Sequence, residues 1–298
     1  MLVVTLILWI GAVQFTAQPV NDIHFHHFHL NVVDPAKSIE FYRQTFGGVP
    51  IKFGGRSDAV FTERSFILFS KVETPASPDL DTGVWHLGWG GVDGPSEFVN
   101  LRAKGVQFQT PLTPLGNGFY MYLYGPDKEV LEIWTGPQNH LYNHLHFVSK
   151  DQEATRQWYA DVLGVPWPTR SNPPPPSTQT TPPNPLMSPG ITGPRVDNVG
   201  FVFFRQPETE PMSPLWGSNK PIKTIQPTKG RVVDHLAFSF RRIDPIFEKL
   251  KSANIPIVEP ITTHPDYGFR SFFIMGPDNV LLEIVEAKPI PDASWEVE

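Results

Sequence analysis

The sequence predicts an α+β chain of four successive βαβββ units. One turn-and-strand stretch, Gly125-Pro126-Asp127-Lys128-Glu129-Val130-Leu131-Glu132-Ile133, recurs as Gly276-Pro277-Asp278-Asn279-Val280-Leu281-Leu282-Glu283-Ile284. Four strand-like runs carry a histidine at equivalent places near their start: His27, His86, His144 and His235. A run of helical periodicity follows each of them, after Asp34-Pro35, after Pro95, from Glu153, and after Asp244-Pro245.

In unit one, Asp34 is the expected N-cap and Pro35 the first helical residue. Ile39, Phe41, Tyr42 and Phe46 then recur at helical spacing, Gly47-Gly48 closes the helix, and strands are predicted at 59–62 and 65–71. Unit two opens at Gly83-Val84-Trp85-His86, and its helix ends at Lys104-Gly105. Strands at 106–109 and 118–124 lead into the first Gly-Pro-Asp turn, where proline presets φ and aspartate is expected to bond its own backbone. Unit three restarts at Asn143-His144, with a helix over 153–163. Its stretch 166–195 is dense in Pro, Ser and Thr and reads as a surface insertion without a core of its own. Unit four opens at Val232-Val233-Asp234-His235, with later strands near 257–258, 269–275 and 281–285. The expected organisation is a leader over 1–20, a first two-unit domain over 22–136, and a second over 142–288 that carries the insertion.

The leader expectation rests on residues 1–21, which have no charged side chain, and on an apolar run over 2–13 too short to span a bilayer. It implies a periplasmic or secreted protein with no stable membrane association once the leader is removed. The net charge of −6, with no basic run, argues against nucleic acid as a partner. With no cysteine in the chain, disulfides, thiolate catalysis and cysteine-ligated metals are excluded. The expected partners are a small-molecule substrate and, as an open option, a second copy of the chain.

The final strands of units two and four place the chemistry. Glu132 alternates with Leu131 and Ile133, and Glu283 with Leu282 and Ile284, so both carboxylates fall on apolar strands with no lysine or arginine beside them. An unpaired buried carboxylate costs several kcal/mol, on the order of 5, so each needs a partner. His86 and Glu132 are 46 positions apart (132 − 86), and His235 and Glu283 are 48 apart (283 − 235). Pairing units within each half gives two ligand sets, His27, His86, Glu132 and His144, His235, Glu283. Two imidazoles and one carboxylate with open positions suit Fe(II), the favoured ion, and also Mn(II), Zn(II) or Ni(II). Pairing unit one with four and two with three would instead group His27, His235, Glu283 and His86, Glu132, His144. His29 and His146 lie two residues beyond the first ligands on the same face and are candidates for proton transfer.

The pattern His-x-x-Leu-x-Val-x-Asp from His27 to Asp34, the residues Ser38, Phe41 and Tyr42, and the two Gly-Pro-Asp turns resemble the vicinal oxygen chelate superfamily. That superfamily contains glyoxalase I, bleomycin and fosfomycin resistance proteins and type I extradiol dioxygenases. The resemblance spans about residues 22–288. It implies βαβββ modules paired into two tandem half-open barrels, each with a divalent metal in its cup that chelates vicinal oxygens of a substrate. Chain length, tandem halves and the run Thr262-x-His264, Phe272-Phe273, Pro277, Glu283 resemble the extradiol enzymes, which makes that chemistry the favoured reading. In that reading His264 is an acid–base group and Arg270 an anion contact. Phe273 stands where those enzymes carry a tyrosine, Gly276 and Asn279 also depart, and Asn198 lies near the place of their acid–base histidine. Glyoxalase-type lyase or isomerase chemistry, or non-catalytic ligand binding as in bleomycin resistance proteins, are the alternatives. No second acid lies at 66–69 or 199–204, where glyoxalase I would carry one.

Overall fold

The computed structural model describes residues 23–62, 64–74, 77–167, 191–209, 216 and 220–287. The leader expectation over 1–20 and most of the predicted insertion lie outside these residues. Unit one comprises β1 (His24–Val32), α1 (Pro35–Phe46), β2 (Val49–Phe53), β3 (Ser57–Phe61) and β4 (Phe66–Lys71). Unit two comprises β5 (Val84–Gly90), α2 (Gly94–Ala103), β6 (Phe108–Leu115), β7 (Gly118–Tyr124) and β8 (Val130–Trp134). Unit three has β9 (Tyr142–Ser149), α3 (Gln152–Asp161), β10 (Ile191–Val196) and β11 (Val199–Arg205). Unit four has β12 (Val233–Phe240), α4 (Asp244–Ser252), β13 (Ile257–His264), β14 (Phe269–Met275) and β15 (Leu281–Glu286). Among the described residues no helix is long and apolar enough to cross a membrane.

The strands form two mixed sheets, ordered β13-β14-β15-β12-β1-β4-β3-β2 and β10-β11-β9-β5-β8-β7-β6. This corrects the pairing of units within each half. Unit one joins unit four through antiparallel β1 and β12, and unit two joins unit three through antiparallel β5 and β9. The halves 22–136 and 142–288 therefore each give one module to both half-barrels. The short link 135–141 turns the chain from β8 straight back into β9, where Gly90 N–H donates to Leu141 O (2.8 Å). All four opening strands share one apolar pattern, so that pattern alone does not choose between partners.

Three local expectations also change. β2 was not predicted, because Pro50 and Lys52 interrupt its pattern; it is a half-exposed edge strand, where proline is tolerated. β6 begins later and runs further than 106–109, carrying Pro111 and Pro114 at an edge of the other sheet with two register shifts. The predicted insertion ends sooner, since 191–196 pairs with β11 as a strand.

Asp34 caps α1 as expected, accepting from Lys37 N–H, and Asp93 and Asp151, for which no cap was expected, do the same for α2 and α3, accepting from Ser96 and Ala154 N–H. Gly47 closes α1 at φ 71°, a conformation that favours glycine. In α4, Asp244 makes no cap bond and pairs with Arg270 (2.8 Å) instead.

The Gly-Pro-Asp aspartates reach across units rather than to their own turns. Asp127 accepts from Val33 N–H (3.0 Å), and Asp278 accepts from Lys150 N–H (3.2 Å) and Thr155 Oγ1 (3.0 Å). The repeated turn thus ties unit two to one and unit four to three, while the sheets tie one to four and two to three. The backs of both sheets share one apolar core. Phe28 packs edge-on against Trp89 (6.0 Å), Phe25 meets Tyr142 (5.8 Å), and Phe201 meets Phe238 (6.1 Å). With the backs joined, the opposite faces of the two sheets are left for the sites.

Candidate metal centres

Glu283 and Glu132 are 3% and 4% exposed, and each faces imidazoles from its own sheet. In the first cup Glu283 Oε2 lies 3.2 Å from His27 Nε2 and 3.3 Å from His235 Nε2. In the second, Glu132 Oε2 lies 2.8 Å from His86 Nε2, 2.9 Å from His144 Nε2 and 3.7 Å from His146 Nε2. The six sequence-predicted ligands are all brought into cups, but regrouped as His27, His235, Glu283 and His86, His144, Glu132. The within-half sets are separated because β1 lies beside β12 and β5 beside β9.

Each opening strand carries a register shift just before its histidine, at Phe25/His27, Val84/His86, Gly88/Trp89 beside Asn143, and His29/Leu30 beside Asp234. Such a bulge turns an extra side chain toward the cup. That side chain holds the histidine from behind in three of four cases. His26 Nδ1 contacts His27 Nδ1 (2.7 Å), Asn143 Oδ1 meets His144 Nδ1 (2.5 Å), and Asp234 Oδ1 meets His235 Nδ1 (2.6 Å). Fixing Nδ1 aims Nε2 at the glutamate. In the fourth case Trp85 packs on His86 (4.5 Å), and His86 Nδ1 stays buried without a partner. His26, Asn143 and Asp234 escaped the sequence reading, because strict alternation puts them on the back face. The available signal was a polar residue immediately before three of the four histidines.

The electrostatics favour a cation. Burial alone would raise both carboxyls, but His146, His144 and His86 hold Glu132, and His235 and His27 hold Glu283, well below the usual carboxylate range. Burial pulls His27 and His86 down, and burial with the charge of His27 takes His26 to about 3. His235 is the exception: against its burial, the bonds to Asp234 and Glu283 push it up to about 9. An ionised Glu132 beside the neutral imidazoles of His86 and His146 matches the protonation states of a metal ligand set, whereas His235 has to release its proton to become a ligand. His27 Nε2 and His235 Nε2 are buried and make no well-directed hydrogen bond, although both point at Glu283. Two buried nitrogens that converge on one carboxylate without a well-directed hydrogen bond fit a divalent ion.

The first cup opens into a cavity of about 340 Å³ lined by the His27 set together with His29, Ser70, His264, Tyr267, Phe269 and Phe273. His264 Nε2 is buried there without a hydrogen-bond partner, and His29 Nε2 bonds Ser70 Oγ (2.8 Å). Arg270 points elsewhere, paired with Asp244 (2.8 Å) and Glu286 (3.1 Å), so the expected anion contact is not formed. Phe269 takes the cavity face of β14, and strand alternation turns Arg270 away. Asn198, at the β10–β11 turn, donates to Tyr142 O (2.5 Å). In the second cup, a Cβ on Gly88 would lie 2.0 Å from His144 Nε2, so the glycine leaves that imidazole its place.

Replacing Asp234 with alanine is expected to free the His235 ring and weaken metal binding in the first cup by roughly 10–100-fold. Competitive titration against a chromophoric chelator checks this; unchanged affinity would remove the orienting role of the bulge residue.

A profile of the glyoxalase/bleomycin resistance protein/dioxygenase superfamily matches residues 24–133 and 141–284. A search of curated protein sequences finds no match. Among solved structures, glyoxalase I from Zea mays is similar over 89% of this chain and 92% of its own, with TM-score 0.62 and 14% identity. A proposed dioxygenase from Bacillus subtilis subsp. subtilis str. 168 is similar over 90% of this chain and 86% of its own, with TM-score 0.58 and 13% identity. At such identities the likeness is one of fold. With a family profile covering most of both halves and the fold to match, the chain belongs to the glyoxalase/bleomycin resistance protein/dioxygenase superfamily.

Proposed function

We propose that this chain is a metal-dependent enzyme acting on a small oxygenated molecule in the cup of His27, His235 and Glu283, with extradiol-dioxygenase-like chemistry favoured. The observation that carries it is the pair of buried Nε2 atoms converging on a buried carboxylate, without a well-directed hydrogen bond, at an open cavity. Fe(II) is the favoured ion, with Mn(II), Zn(II) or Ni(II) also suited to this donor set. Bound there, it would act as a Lewis acid on vicinal oxygens of the substrate.

The chain's own residues supply the rest. Tyr267 stacks on Phe269 (5.6 Å, 14°), and with Phe273 they form an aromatic wall that would orient a planar substrate and exclude water. His264 Nε2, unpartnered at the cavity, is placed to take or return a substrate proton, and the His29–Ser70 pair offers a second proton path. Among the described residues no lysine or arginine lines the cavity, which favours a neutral oxygenated substrate over a multiply anionic conjugate. Glyoxalase-type lyase or isomerase chemistry and ligand sequestration are the competing readings. The second set, His86, His144 and Glu132, is proposed as a second metal centre, and export to the periplasm or medium remains our reading of residues 1–20.

Oxygen uptake with a catechol panel, run beside a methylglyoxal–glutathione assay on iron-loaded protein, tests the reaction. His264→Gln is expected to lower kcat by about 10²-fold with KM little changed, in line with the loss of one acid–base group. Undiminished kcat would strip His264 of that role. Less than about a tenth of an equivalent of metal after anaerobic loading would favour the binding protein.

A further inference from the structure

The two cups are built from the same repeat, and one of the matched positions at which they differ sets the role of a third histidine. Parallel pairing puts Asn31 of β1 opposite Ser70 of β4, and Val148 of β9 opposite Phe204 of β11. Since His29 and His146 each sit two residues before those partners, Ser70 and Phe204 occupy equivalent places behind equivalent imidazoles. Ser70 offers a hydroxyl, and His29 Nε2 is committed to it at 2.8 Å. The His29 ring stacks on His235 (4.7 Å, 24°), and one ring nitrogen each of His27, His29 and His235 lie within 4.8 Å of one another.

Phe204 has no polar atom to give. His146 lies on its ring (5.1 Å), its Nδ1 is buried without a partner, and its Nε2 turns to Glu132 at 3.7 Å. Ligand atoms of His86, Glu132, His144 and His146 all fall within 4.8 Å of one another. Trp85, Phe204 and Trp216 add apolar cover beside these imidazoles, with Trp85 against Trp216 at 4.5 Å.

We infer that the second cup is a four-donor metal site of three imidazoles and one carboxylate, His86, Glu132, His144 and His146, which binds a zinc-type divalent cation for stability and leaves no position for substrate. Four protein donors close a structural site, whereas a reacting centre keeps one position open. His146 thereby becomes a ligand rather than a proton-transfer group. The inference rests on the reading of both clusters as metal centres, and it makes the two centres chemically unequal.

Cobalt(II) reports the difference without any assay of activity. Titrating the metal-free, unmutated chain is expected to fill two sites. One should show the strong visible bands of four-coordinate cobalt, unmoved by azide, and the other weaker bands that azide shifts. The His235→Ala/Glu283→Ala variant should keep only the strong, azide-insensitive site, and its melting temperature should fall on chelation. Adding His146→Gln should weaken those bands and make them respond to azide. Two sites with the same weak, azide-sensitive spectrum would overturn the inference while leaving the metal-centre reading intact, as would bands that His146→Gln leaves unchanged. A chain that takes up no cobalt at all would overturn both.

Discussion

Glu283→Gln is expected to empty the first cup and abolish turnover while leaving the fold in place. Glutamine keeps the shape of the side chain but removes the negative charge that the Nε2 atoms of His27 and His235 face at 3.2 and 3.3 Å. A neutral amide is a poor ligand for a hard divalent ion, and the remaining donors would be two imidazoles. The loss of affinity should exceed the roughly 10–100-fold that follows removal of an outer-shell partner. Metal content of purified protein measures it: one equivalent fewer than in the unmutated chain, together with turnover at background. Retention of full metal and full turnover would show that this carboxylate is not a ligand.

A second large effect concerns stability away from the cups. Glu129, in the first repeated turn, is buried, accepts from Tyr42 Oη at 2.9 Å and from Asp127 N–H at 3.0 Å, and lies over Gly125, where a Cβ would come within 2.0 Å of Oε1. Burial, against the bonds it accepts, raises it from 4.5 to about 7. A carboxyl raised on folding binds more protons in the native state between those two values. Its favourable contribution is therefore full below pH 4.5, declines as pH rises toward about 7, and changes no further above that. The window corresponds to about 3 kcal/mol. Glu129→Gln cannot ionise, so relative to the unmutated chain its stability should rise by about that amount between pH 4 and pH 8. Urea unfolding of both proteins across this range measures the difference; a constant offset would mean that Glu129 ionises normally in the folded state.

Residues close in sequence determined much of this protein. Asp34, Asp93 and Asp151 cap helices because a short acceptor three residues ahead of an N–H needs only local geometry. The recurrence of Gly-Pro-Asp and of a lone glutamate on an apolar strand announced four repeats and two buried carboxylates, since a two-residue period and the cost of desolvating a charge can both be read from the sequence itself. The same reasoning found His27, His86, His144 and His235, but it could not see His26, Asn143 or Asp234. A bulge before each histidine breaks the alternation on which facing is judged, and bulges are set by the partner strand.

Tertiary structure alone decided which carboxylate meets which imidazoles. β1, β5, β9 and β12 carry interchangeable apolar patterns, so any of them could pair with any other on local grounds. The choice of β1 with β12 and β5 with β9 comes from the short link between β8 and β9 and from the aromatic core that joins the backs of the two sheets. It also decided the contrast between the cups, because Ser70 and Phe204 act on histidines 41 and 58 positions away (70 − 29 and 204 − 146) through strands that only the fold lays side by side.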